Sequence, residues 1–73
     1  MADVEVKAGQ VWAHREMPER TRTVIVVDEG GDYVTTDLRA WPDSPPLRTE
    51  TGVRHLTSLF RLIRDEHGNE VSR

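Results

Sequence analysis

Residues 23–27, Thr-Val-Ile-Val-Val, form an unbroken β-branched run that is followed after Asp28 by Glu29-Gly30-Gly31-Asp32. Branching at Cβ crowds a helical turn and suits a pleated surface, so 21–28 is the strongest strand in the chain. Two adjacent glycines then allow a tight reversal, and Tyr33 to Leu38 supplies a returning strand. Four consecutive aliphatics, 24–27, imply that both faces of the first arm meet apolar partners. In the second arm Val34, Thr36 and Leu38 share one face, while Tyr33, Thr35 and Asp37 share the other.

Further short runs flank this hairpin. Gln10 to Ala13 precedes a charged loop over 14–20, in which Pro18 excludes a regular central strand. Arg39 to Leu47 contains Pro42, Pro45 and Pro46, which cannot donate ladder hydrogen bonds, so this stretch is a loop. Residues 48–56 read as a strand broken at Gly52. Residues 57–60 read as one short helical turn capped by Thr57 or Ser58, and 60–64 as a last strand. A rival reading makes 56–65 a helix, because Leu56, Leu59, Phe60 and Ile63 recur at helical spacing. The strand reading is preferred because a barrel needs a closing strand.

Short strands at close spacing within 73 residues predict a single all-β domain, a five-stranded small barrel with one short helical turn near the C-terminus. The expected core is Val11, Trp12, Val24, Val26, Val34, Leu38, Val53, Leu56, Leu59, Phe60 and Ile63. The ordered part is expected over about residues 7–65, with 1–6 and 66–73 as loose tails. A chain this short buries only about 60% of its unfolded surface, and without cysteine it has no disulfide to reinforce the core.

The order of these runs resembles that of the SH3-like small β-barrels, in which a helical turn separates the fourth and fifth strands. More narrowly, Gly9-Gln10-Val11-Trp12, Arg22-Thr23-Val24 and Val53-x-x-Leu56 resemble short uncharacterised proteins of high-GC bacteria and their phages. The resemblance spans about residues 7–64. It implies a fold and supplies no reaction.

Charge and motifs narrow the function classes. Thirteen acids against ten Lys and Arg give a net charge of −3, which argues against a general grip on nucleic acid or anionic lipid. The distribution is uneven: 28–43 carries five acids against Arg39, and 44–64 carries four arginines against Glu50. No apolar run reaches the roughly 20 residues of a membrane span, and the opening residues lack a secretory layout, so a cytoplasmic protein is expected.

His14, His55 and His67 are too widely spaced for a metal site. Ser44 or Ser58 with His55 lacks a nucleophile elbow, and Gly30-Gly31 has no following helix to make a phosphate loop. No enzyme and no cofactor are expected. The predicted role is non-enzymatic binding to a protein or to a second copy of the chain. The expected contact surface joins Tyr33, Arg39, Trp41, Pro42, Pro45, Pro46, Arg48 and Arg54. Prolines hold an aromatic in a stiff loop at low entropic cost, which suits Trp41 as an interface anchor, or alternatively as a lid on the core. Unpaired edges at 10–13 or 60–64 offer strand addition as a second mode. The alternative partner is nucleic acid, held by an arginine wall of Arg20, Arg22, Arg48, Arg54, Arg61 and Arg64 with Tyr33 or Trp41 stacking on bases.

Overall fold

A computed structural model describes residues 5–71. It contains β1 (Val11–His14), β2 (Thr21–Val27), β3 (Tyr33–Arg39), β4 (Leu47–Gly52), α1 (Val53–Leu59) and β5 (Phe60–Arg64). The strands form one antiparallel sheet in the order β4-β3-β2-β1-β5. The all-β architecture with one short helix near the C-terminus is therefore present. Four strands meander, α1 carries the chain across, and β5 returns beside β1.

The β2–β3 hairpin closes where its glycines permit. Gly31 has φ +78°, its N–H donates to the Asp28 carbonyl at 2.9 Å, and the Asp28 N–H donates to the Tyr33 carbonyl at 2.8 Å. Within β2 the register slips: Val24 faces Thr36 and Val26 faces Thr35, leaving Ile25 without a partner. This bulge shifts the side-chain alternation by one residue. Val27 then packs on the core, and Val26, expected in the core, stands 55% exposed on the opposite face. Both faces of β2 are therefore not uniformly apolar-covered, contrary to the reading of its four aliphatics.

Two further boundaries differ from expectation. The strand over 48–56 ends at Gly52, and helix begins at Val53, four residues before the expected turn at 57–60. The ladder runs out there: Gly52 pairs with Tyr33, the first residue of β3, and the Val53 N–H donates to the Asp32 carbonyl just beyond it. A strand continuing past this point would have no neighbour to bond. Helix instead turns Leu56 fully into the core, with Val53 beside it. Leu59 lies about 90° round from that stripe at 3.6 residues per turn and is 40% exposed, so it leaves the expected core. The rival helix over 56–65 also fails, because 60–64 is strand.

Trp12, Ala13, Val24, Val34, Leu56 and Phe60 are buried, with Val6, Val27, Val53 and Leu62 packed against them. Val11, Leu38 and Ile63 are half-buried. The Gly9-Gln10-Val11-Trp12 segment serves this core. Gly9 adopts φ +98°, and its N–H donates to the Val24 carbonyl at 2.8 Å. The buried Gln10 side chain accepts from the Trp12 indole N–H at 3.1 Å and from the Lys7 N–H at 2.9 Å. A buried indole thereby keeps a partner for its polar atom.

Of the expected tails, 1–4 and 72–73 lie outside the described residues. After β5 the chain turns at Asp65, whose Oδ1 accepts the N–H groups of His67 and Asn69, both at 2.9 Å. It then lies back on β5, with the Val71 N–H donating to the Ile63 carbonyl at 2.9 Å and Glu70 bridging Arg64. Among the described residues, no helix is long and apolar enough to cross a membrane.

Candidate functional site

The loop between β3 and β4 is fixed by its own polar groups. Buried Ser44 accepts the Trp41 N–H on Oγ at 3.4 Å, and that hydroxyl donates to the Trp41 carbonyl at 2.9 Å. The Ser44 N–H donates to the same carbonyl at 3.0 Å, closing a turn over 41–44. Arg39 Nη1 donates to the Ser44 carbonyl at 2.7 Å, so Arg39 braces the loop. A braced backbone presents its side chains with little entropy left to lose on binding.

What this loop presents is apolar. Trp41 is 57% exposed and Leu47 is 61% exposed, with Pro42, Pro45 and Pro46 exposed between them. With that exposure Trp41 is not a lid on the core. Arg48 follows on β4 and meets Asp37 of β3 at two points, Nε to Oδ1 at 3.0 Å and Nη2 to Oδ2 at 3.4 Å. The Arg48 hydrogen bond holds the Asp37 carboxyl below the ordinary range, and Asp37 raises Arg48 in turn.

The expected contact residues fall into two groups. Trp41, Pro42, Pro45, Pro46, Arg39 and Arg48 gather at one end of β3. Tyr33 starts the other end, roughly 20 Å away at the usual rise per strand residue. There Tyr33 and Arg54 line an open depression of about 300 Å³ with Gly31, Asp32, Gly52 and Val53. One contiguous surface containing Tyr33 and Trp41 is therefore absent.

The expected free edges also change. Residues 11–13 belong to a central strand between β2 and β5, so that segment has no edge to offer. The two edges are β5, partly covered by 70–71, and β4, which pairs with β3 alone among the described residues.

Arg22 is the feature that sequence reasoning passed over, having placed it on an exterior wall. It pairs across the sheet with Trp12 and Leu38 and shares the inner face with Val24. Its Nη1 donates to Thr36 Oγ1 at 2.8 Å and Thr49 Oγ1 at 3.0 Å, spanning three strands. Its Cζ lies 5.4 Å from the centroid of the Phe60 ring, a cation–π distance. The buried Nε has no partner, and no carboxylate among the described residues forms an ion pair with this guanidinium. Burial lowers its pKa from the usual arginine value. Period-two alternation from Val24 back to Arg22 was the available signal.

Histidine geometry is local. His14 Nδ1 accepts the N–H groups of Glu16 and Met17 at 3.1 and 3.2 Å, and its ring packs edge-on against Phe60 at 5.1 Å. His55 is exposed on α1. His67 Nε2 lies 3.8 Å from Glu66. Among the described residues, no three His, Asp or Glu side chains converge as metal ligands.

No known family matches the chain, and no curated protein or solved structure is detectably similar to it.

Proposed function

We propose that this chain is a non-enzymatic, cytoplasmic binding module whose contact surface is the Trp41–Leu47 loop together with Arg39 and Arg48. The observation that carries the reading is the pairing of two large apolar side chains, both more than half exposed, on a loop braced by Ser44 and Arg39. Desolvating such anchors against a protein surface, a second copy included, yields binding energy without first ordering the loop. The strand order, with α1 between β4 and β5 and β5 returning beside β1, supports an SH3-like small barrel as the scaffold.

Nucleic acid is the second reading. The arginine wall is thinned by Arg22, which turns inward to two threonines, and by Arg48, which is held by Asp37. What favours it is Tyr33, 53% exposed beside Arg54.

One pair of variants separates the two. Trp41→Lys and Leu47→Lys keep an aliphatic stem and add a positive charge. Protein binding, measured by calorimetry with a partner captured by the wild type, is expected to fall at least about tenfold while the melting temperature holds. Stronger salt-sensitive binding to DNA in the same variants would favour nucleic acid. Unfolding of both variants would show the surface to be structural and overturn the proposal.

A further inference from the structure

The two edges of the sheet are finished differently. That of β5 is covered near its end by the Arg64–Glu70 bridge and the Val71 N–H. That of β4, Leu47–Gly52, lies open beyond β3 among the described residues.

Which backbone groups point outward from β4 follows from two bonds. The Asp28 N–H donates to the Tyr33 carbonyl, so Tyr33 turns its backbone groups to β2. The Val53 N–H donates to the Asp32 carbonyl, so position 53 turns toward β3. Because bonding alternates along an antiparallel ladder, 47, 49 and 51 bond to β3, and Arg48, Glu50 and Gly52 direct their N–H and C=O groups to the open edge.

We propose that a second copy of this chain occupies that edge, β4 antiparallel to β4, about a two-fold axis through Thr49. The pairing rests on the reading of this end of the sheet as a contact surface and names the partner. A dyad between residues would set outward groups against inward ones and form no ladder. A dyad through Arg48 places two arginines opposite one another, and one through Glu50 places two glutamates opposite one another. Like charges directly opposite destabilise a strand pair. A dyad through Thr51 sets Glu50 against Gly52 of the partner subunit and forms no charge pair, whereas the dyad through Thr49 sets Arg48 against the partner's Glu50, twice, and makes four backbone hydrogen bonds.

Arg48 then lies between Asp37, which it already contacts at 3.0 Å, and the partner's Glu50, extending an existing charge pair across the interface. On the inner face Leu47, 61% exposed in the single chain, meets Thr51 of the partner subunit. Pro45 and Pro46 limit the edge on one side and α1 limits it on the other, so longer, register-free pairing is blocked. A six-residue strand pair buries less than the roughly 1,200 Å² of stable complexes, so the dimer is weak and forms only at high protein concentration.

Charge reversal tests the register. In Glu50→Lys homodimers Arg48 faces lysine, and in Arg48→Glu homodimers the new glutamate faces Glu50. Mixed together, the two variants restore opposite charges at both positions. Sedimentation equilibrium is expected to show dimer for the wild type near 0.5 mM, monomer for each variant, and dimer again for their equimolar mixture. A further check uses the absence of native cysteine. Thr49→Cys places two thiols at a non-hydrogen-bonded pair, about 4.5 Å between Cα atoms, within disulfide reach. Thr51→Cys places them roughly 14 Å apart. Oxidation should cross-link the first at least about tenfold faster.

A wild type monomeric at 1 mM, single variants that still dimerise, or a mixture that stays monomeric would each overturn the pairing. None of these results touches partner capture by Trp41 and Leu47, which stands or falls on the lysine variants.

Discussion

Arg22 offers a quantitative test of how the inner face is held together. Its Nη1 donates to Thr36 and Thr49, and Thr36 is fully buried. Arg22→Met keeps an apolar stem over the core and removes the charge. Two hydrogen bonds to a charged donor disappear, each worth about 1.5–3 kcal/mol, and the hydroxyl of Thr36 is stranded without its donor at about 1–3 kcal/mol. Against this, the variant no longer buries an unpartnered Nε, a relief of about 1–3 kcal/mol. At central values the expected net loss is about 4 kcal/mol. Thr36→Val removes one of the two bonds from the other side, leaves Arg22 bonded to Thr49, and is expected to cost about 2 kcal/mol. In Arg22→Met/Thr36→Val the shared bond is lost once and the Thr36 hydroxyl is no longer there to be stranded, so the double variant should cost about 2–3 kcal/mol, well below the sum of about 6 kcal/mol. Thermal unfolding followed by circular dichroism reads this directly, since 1 kcal/mol shifts the melting point of so small a domain by roughly 4–8 °C. A double variant that equals the sum of the singles to within about 0.5 kcal/mol would refute the coupling. Stabilisation by Arg22→Met alone would refute the claim that the hydrogen bonds outweigh desolvation of the guanidinium.

Other expectations follow from single geometric facts. Val24→Ala should cost about 2 kcal/mol and Val26→Ala under about 1 kcal/mol, because the bulge at Ile25 buries the first and exposes the second; equal losses in urea unfolding would contradict that register. Gly9→Ala should destabilise by more than about 1 kcal/mol, since its φ of +98° strains any side chain and a Cβ there would approach the Glu66 carbonyl to 3.2 Å; an unchanged midpoint would count against this account of the turn. Asp37, Asp65 and Glu66 all have lowered pKa values, from the Arg48 hydrogen bond, the Asn69 backbone N–H and the Glu66 backbone N–H respectively. The sign is that of depressed carboxyls: their stabilisation is present above the unfolded range near pH 4 and is lost as pH falls below it through the folded values. Unfolding midpoints measured from pH 6 to pH 2 should therefore decline below about pH 4, and Asp37→Asn should flatten that decline.

Much of the architecture was legible because it is written in local chemistry. Gly30-Gly31 marked a reversal that only positive φ could make, and the β-branched residues before it left little choice but strand. The prolines at 42, 45 and 46 marked the loop. What could not be read were features set by neighbours distant in sequence. Val53 becomes helical because β3 begins at Tyr33 and leaves it no strand to pair with. Val26 faces outward because a bulge slips the register by one residue, a shift that period-two counting cannot see. The expected contact surface failed in part for a similar reason: Tyr33 and Trp41 are eight positions apart in the chain, and β3 spends that separation at full extension. Arg22 was misplaced because its charge suggested an exterior position, whereas the alternation shared with Val24 placed it inside.

The most direct test of the central claim is an amide spectrum of the labelled protein from about 20 μM to 1 mM, repeated with single- and double-stranded DNA at about 50 and 200 mM salt. The account predicts concentration-dependent shifts confined to residues 41–52 and none on adding DNA. Shifts gathering instead on Arg54, Arg61 and Arg64 with DNA, and fading with salt, would contradict it.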